Sequence, residues 1–274
     1  MSWLDREGAS FGQSVWDAID EVARASAAEV LAGRKALVVE GPVGLALRAG
    51  ISDDGAPQGY EEDTGEAHLH VPNVRALPLI HRAFKMGART VEAFLSRREP
   101  LDLGAAAEAA RVIARMEDRL LFEGNAAVNV AGLLHHRGAV EVGIGDWSDP
   151  ARAADDLLAA LARLDGAGWH GPYAAAVSPG RYGQLFRPHP GSSLTPYAQL
   201  APLFEGGIVK APALADGGVV VMKSKSGPRL LVGQELAAAY DGREGVFHRI
   251  SLVESVTLLE GVPGSVAVLA ARKP

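Results

Sequence analysis

Cysteine is absent from this chain of 274 residues, which excludes disulfides, thiolate metal sites and cysteine nucleophiles together. Aromatic residues make up only 6%, and the seven Phe and four Trp are scattered, so no stacking platform for single-stranded nucleic acid exists. No basic cluster offsets a formal charge of -6, which leaves no electrostatic reason for DNA, RNA or an anionic membrane as partner. No apolar run approaches the roughly 18 residues of a membrane-spanning helix. The N-terminus, Met1-Ser2-Trp3-Leu4-Asp5-Arg6-Glu7, lacks both the basic start and the apolar core of a signal peptide, so a cytoplasmic location is expected. Familiar catalytic patterns are missing too. Gly41-Pro42-Val43-Gly44 has no Gly-Lys-Ser/Thr after it and lacks the glycine spacing of a dinucleotide fingerprint, and no G-x-S-x-G elbow occurs.

What is present is a chain 48% apolar, long enough to bury a sizeable core as one large domain or two smaller ones. Ser10-Phe11-Gly12-Gln13 has the form of a capping box. From there Trp16, Ile19, Val22, Ala23, Ala27, Val30 and Leu31 recur at helical spacing, and Gly33 is expected to end the helix. A short strand, Ala36 to Glu40, and a sharp turn follow. From Leu45 to Pro72 the periodicity fails: Gly50, Gly55, Gly59 and Gly65 interrupt a segment carrying Asp53, Asp54, Glu61, Glu62, Asp63 and Glu66. Such a stretch is either an ordinary surface loop or an arm that folds against a neighbouring subunit.

Asp102 can cap a second long helix, Leu103 to Glu123, whose apolar stripe is Ala106, Ala109, Ala110, Ile113, Met116, Leu120 and Leu121, with Gly124 as the stop. A third helix runs from about Pro150, behind Asp149, to about Leu164. After Gly171 strands dominate: Tyr173 to Val177, Gly207 to Lys210, Gly218 to Ser224, Arg229 to Val232, Phe247 to Leu259 and Ser265 to Ala270. Helices early and strands late, without βαβ alternation, give an α+β fold.

Candidate chemistry is thin. His135-His136 and His68-x-His70 lack a further convergent ligand, and adjacent histidines on a strand point to opposite faces, so they read as surface or packing residues and no metal is expected. The acidic pairs Asp53-Asp54, Glu61-Glu62 and Asp155-Asp156 sit in polar contexts and read as solvated faces.

A series of blocks runs along the chain, beginning with Trp16-x-x-Ile19-Asp20, Gly33-Arg34-Lys35 and Val39-Glu40-Gly41-Pro42-x-Gly44, then Leu77-Pro78-Leu79-Ile80 and the run Glu117 to Gly124. Gly171-Pro172-Tyr173, Gly206-Gly207-Ile208 with Ala211-Pro212, and Leu231 to Leu236 leading to Tyr240 complete the series. In this order the blocks resemble those of the encapsulins, shell proteins of bacteria and archaea. The resemblance implies a phage-capsid-like shell protomer: an N-terminal helix with the entry to the peripheral domain (1–44), an extended arm (45–76), a peripheral domain with the spine helix (77–130 and 225–274) and an axial domain (131–224). It implies self-assembly into an icosahedral shell of sixty copies or a multiple of sixty. The shell would enclose a cargo enzyme, a ferritin-like iron oxidase or a dye-decolourising peroxidase, held by its C-terminal peptide.

On the same resemblance, the cargo peptide binds at Ala27, Leu31, Arg34, Val38, Leu236 and Ala238. Relatives can carry phenylalanine where Ala27 stands, so the pocket here is roomier. The alternative is that Leu31 and Val38 are core residues and Arg34 a solvated helix end, dispensable for the shell. The stretch from Phe186 through Arg187, Pro188, His189, Pro190, Gly191, Ser192 and Ser193 falls where the family has its five-fold pore loop. Where relatives hold a flavin beside an aromatic residue, this chain reads Thr90-Val91-Glu92-Ala93, and no cofactor is expected. Two rivals remain, a prophage major capsid protein and an independent enzyme; no grouping of nucleophile, base and orienting residue favours the latter.

Overall fold

The computed structural model describes residues 3–51, 58–62, 65–69 and 72–271, with the backbone alone for 58–62 and 65–69. The chain runs through α1 (Gln13–Val30), α2 (Gly33–Ala36), β1 (Val38–Glu40), β2 (Ala49–Ile51), β3 (Gln58–Glu62), β4 (Gly65–Leu69), β5 (Val74–Ala76), β6 (Leu79–Gly87), α3 (Ala88–Arg97) and α4 (Gly104–Phe122). It continues through β7 (Val140–Ile144), α5 (Pro150–Gly166), β8 (Tyr173–Val177), α6 (Pro179–Gln184), α7 (Pro196–Leu200), β9 (Ile208–Lys210), β10 (Gly218–Met222), β11 (Arg229–Glu244), β12 (Phe247–Leu259) and β13 (Val266–Ala271). The α+β expectation holds. A four-stranded sheet, ordered β1-β11-β12-β6, backs α1 and α4, and a five-stranded sheet, ordered β7-β13-β10-β8-β9, packs against α5.

Alternation along β8 ties the two halves together. Ala174 and Ala176 join the core built around α1, α4 and the four-stranded sheet, whereas Tyr173, Ala175 and Val177 face α5 and Trp147 in a second core. The closing strand β13 pairs with β7 and β10, so Val266–Ala271 belongs to the sheet of residues 140–222 rather than with 225–259. That moves the last strand of the expected 225–274 segment.

Local expectations are revised at several points. The capping box does not form: Gly12 is the N-cap of α1 without a side-chain bond, and Gln13 donates instead to Asp17 at 2.8 Å. The helix ends at Val30, and Gly33 opens α2 instead of terminating α1. Asp102 does accept from the N–H of Gly104 at 3.0 Å, and Asp149 caps α5 as expected. Met116, assigned to the buried stripe of α4, is 57% exposed, while the neighbouring Glu117 and Asp118 are fully buried. β11 runs well past Val232 because Gly233 packs against Ser255 and Leu77, where a Cβ would collide, and the ladder resumes after register shifts at Gln234 and Ala237.

The segment read as patternless contains short strands. β2 pairs with β5, and β3 with β4, each as a two-stranded antiparallel ribbon. Asp53, Asp54, Gly55, Asp63 and His70 lie outside the described residues.

Candidate functional site

The corner between α1 and α2 is built on a buried aspartate. Asp118 of α4 accepts from the N–H groups of Ala32 at 2.8 Å and Gly33 at 2.9 Å, satisfying donors that α2 would otherwise leave unpaired. Gly33 lets the corner pack closely on α4, since a Cβ there would push on the buried Leu121 side chain. Burial pushes the Asp118 carboxyl up to about 6, against the two backbone donors that pull it down.

Next to this corner lies a cleft of 390 Å³. Ala27, Ala28 and Leu31 of α1 and Leu236 of β11 form its apolar lining, and Arg24, Arg34, Glu235 and Glu254 supply the polar groups. Glu235 and Leu236 are sequence neighbours and would face opposite sides of a regular strand; the register shift between Gln234 and Ala237 accompanies their reaching one cleft.

Four of the six residues expected at a peptide site therefore come together: Ala27, Leu31, Arg34 and Leu236. Val38 and Ala238 do not line this cleft. Val38 sits in β1 paired with Arg229. Ala238 is buried in the core, its carbonyl accepting from Arg6 Nε at 2.8 Å and its N–H donating to Asp20 at 3.2 Å. Sequence reasoning missed Arg24, Ala28, Glu235 and Glu254. The helical repeat that gives Ala27 and Leu31 also carries Arg24 and Ala28, and Glu254 is the one charged residue between Ile250 and Leu259, a sign of a specific buried role.

Arg34 is not a solvated helix end. Its Nε donates to Glu117 Oε1 at 2.9 Å, its Nη2 to Glu117 Oε2 at 2.8 Å and to Glu254 Oε2 at 3.3 Å, and its Nη1 to Glu235 Oε2 at 2.8 Å. Burial pulls the guanidinium down, but the hydrogen bonds and charge of these carboxylates hold it above its ordinary value, so it stays charged. Glu235 is 47% exposed at the rim and uses Oε2 for Arg34.

The stretch Phe186 to Ser193 forms a separate, tight loop. His189 N–H donates to Leu194 O at 2.9 Å, Ser192 N–H to His189 O at 3.0 Å, and Leu194 N–H to Ser192 Oγ at 3.0 Å. Phe186 stacks on Tyr197 with ring centroids 4.7 Å apart, and Tyr182 lies against both. Arg187, Pro188, Pro190, Gly191, Ser192 and Ser193 are exposed and His189 half-buried. Elsewhere, His136 is a buried packing residue with Nε2 2.8 Å from the carbonyl of Glu260, and burial holds its ring below the usual histidine range. No cluster of metal-ligating side chains occurs among the described residues.

Residues 1–257 match the Linocin_M18 family model, described as an encapsulating protein for peroxidase. The chain is 28% identical to a type 1 encapsulin shell protein of Myxococcus xanthus, over 93% of this chain and 91% of the relative. It is 29% identical to one of Rhodospirillum rubrum, over 94% and 92%. Among solved structures, a virus-like particle from Pyrococcus furiosus superimposes with a TM-score of 0.74 at 19% identity, covering 94% of this chain and all of that one. The capsid of a myovirus, phage XM1, follows the same fold with a TM-score of 0.59 at 13% identity, over 86% and 90%.

Proposed function

This chain belongs to the encapsulin family of shell proteins, and on that premise we propose that sixty copies or a multiple of sixty close into an icosahedral container that holds an enzyme by its C-terminal tail. The cleft between α1 and β11 is the docking site in this reading. The observation that carries it is the meeting of an apolar lining, made by Ala27, Ala28, Leu31 and Leu236, with a polar rim at Arg24 and Glu235. A tail in extended form sets alternate apolar side chains into such a lining and leaves its backbone for the rim. A peroxidase is the first cargo to test, because the matching family is described as encapsulating one; a ferritin-like iron oxidase is the second.

Two further assignments accompany this. The ribbons β2–β5 and β3–β4 are the arm that packs on a neighbouring copy, and two-stranded ribbons are marginal without such a support. The loop Phe186 to Ser193 lines an opening around a symmetry axis, where its proline-stiffened, aromatic-anchored backbone keeps a fixed bore. The domain division in this reading is 77–130 with 225–259, and 131–224 with the closing strand.

Ala28 gives the cleanest test of docking, since it lines the cleft from an exposed helix position. Ala28→Trp fills the cleft without overpacking the core. Shells of normal size with cargo loading lowered about tenfold or more are expected, the effect of about 1.4 kcal/mol or more of lost affinity. Full loading in that variant moves docking elsewhere on the wall, and a wild-type chain that sediments as a monomer overturns the container itself.

A further inference from the structure

Beside the cleft, three carboxylates converge on one cation. Glu117 is 0% exposed and Glu254 2%, and Arg34 donates to both as well as to Glu235. A single guanidinium does not neutralise two buried carboxylates and a third at the rim. Glu254 Oε2 accepts from Arg34, while its buried Oε1 has no donor among the described residues. Glu117 Oε2 and Glu254 Oε2 accept from the same Nη2 of Arg34, which holds the two buried carboxyl groups side by side. Two buried carboxylates so placed repel each other unless one of them carries a proton. A proton on Glu254 removes one negative charge from the cluster and leaves Oε2 free to accept from Arg34.

The surroundings act in the same direction. Burial first, and then the charge of Glu117, hold Glu254 well above the usual carboxylate range. From the elements packed around it, α4 brings Glu117 and Asp118, β11 brings Glu235, α2 brings Arg34 and Lys35, and α1 brings Arg24. β6 sets the apolar Ile80 opposite Glu254 in register.

We propose that Glu254 makes occupancy of the cleft proton-linked: its neutral acid form lines the cleft that accepts a tail, and docking weakens when that proton is lost. The inference rests on the docking reading above. A seated tail displaces water from the wall that Glu254 lines, and lost hydration disfavours the ionised form. Docking therefore tightens the hold on the proton, and by reciprocity the proton tightens docking. With one proton involved, affinity falls by at most about tenfold per pH unit as pH rises.

Glu254→Gln is the test, because a glutamine amide keeps the shape of the neutral acid, still has an oxygen to accept from Arg34 and does not titrate. Shells of both forms are melted empty, and loaded with a fluorescent protein bearing the C-terminal tail of a dye-decolourising peroxidase or, in parallel, that of a ferritin-like protein. A folded-state value raised above that of the unfolded chain means stability is lost as pH rises through it, so empty wild-type shells should lose melting temperature relative to the glutamine variant as pH rises above the ordinary carboxylate range. His136 and His248, whose rings burial holds low, work oppositely below about 6.5, and they cancel in the difference between variants. The loaded-minus-empty difference should shrink with rising pH in wild type and stay level in the variant. Parallel empty-shell profiles overturn the proton on Glu254. Divergent empty profiles with equal loading increments overturn its link to docking. No loading at any pH brings down the docking reading and this inference with it, while the empty-shell comparison still decides the proton. Should the variant fail to assemble, a wild-type loading increment that is flat across pH overturns the proposal.

Discussion

Arg34 binds the α1–α2 corner to both α4 and the four-stranded sheet, since its partners are Glu117 on α4, Glu235 on β11 and Glu254 on β12. From sequence alone it is a candidate cargo-docking residue or, alternatively, a solvated helix end, and on either reading the shell does not need it. With the cluster in view, Arg34→Ala leaves the buried Glu117 carboxylate without its counterion and Glu254 without its donor, a loss that costs about 3–5 kcal/mol in comparable buried pairs. The expected outcome is a large fall in shell yield and in the urea midpoint of the chain, not a selective loss of cargo. Normal yield with an unchanged midpoint would show that the carboxylates rearrange or take up protons at little cost. A loading defect in Arg34→Ala is therefore weak evidence about docking, and Ala28→Trp is the better probe.

At the scale of elements, what the sequence revealed follows the strength of local signals. α4 and α5 combine a long helical repeat with an aspartate near the start, and both lie close to where the pattern sets them. β6 and α3 went unread: in Leu79–Gly87 the buried residues Ile80, Phe84 and Met86 are separated by exposed His81 and Arg82 and half-buried Ala83, which breaks the two-residue period. β7 is only five residues long, and its pairing with β13 spans over a hundred residues of sequence. The cleft was half legible because Ala27 and Leu31 share a helix face, whereas the inward turn of Glu235 beside Leu236 depends on an irregular ladder that no local pattern announces. The arm was seen only as a failure of pattern, because its strands are three to five residues long and each has just one partner, which leaves too few positions for an alternation to show. Deleting residues 58–69 should abolish or weaken assembly while far-ultraviolet circular dichroism keeps nearly all its helix signal. Particles of normal size from that deletion would relieve the hairpin of any role in closure.

For the whole molecule, assembly makes a demand on surfaces that the isolated chain leaves open. Leu79 of β6 and Met116 of α4 are 50% and 57% exposed, yet both border one groove of 310 Å³ together with Pro78, Ile80 and Val128. A second copy seated on this groove in a closed shell would gain about 25 cal/mol for each Å² of apolar surface removed from water. Charges introduced on both walls oppose that burial without entering the core, since both side chains already face solvent. The double variant Leu79→Asp with Met116→Asp is therefore expected to give a soluble chain with unchanged helix content that sediments far below the wild-type particle. Because both side chains are exposed and neither is a partner of Arg34, its melting behaviour should not carry the large loss expected of Arg34→Ala. If the double variant still forms full-sized particles, the groove faces the lumen or the exterior, and the contacts that close the shell lie on other faces of the chain.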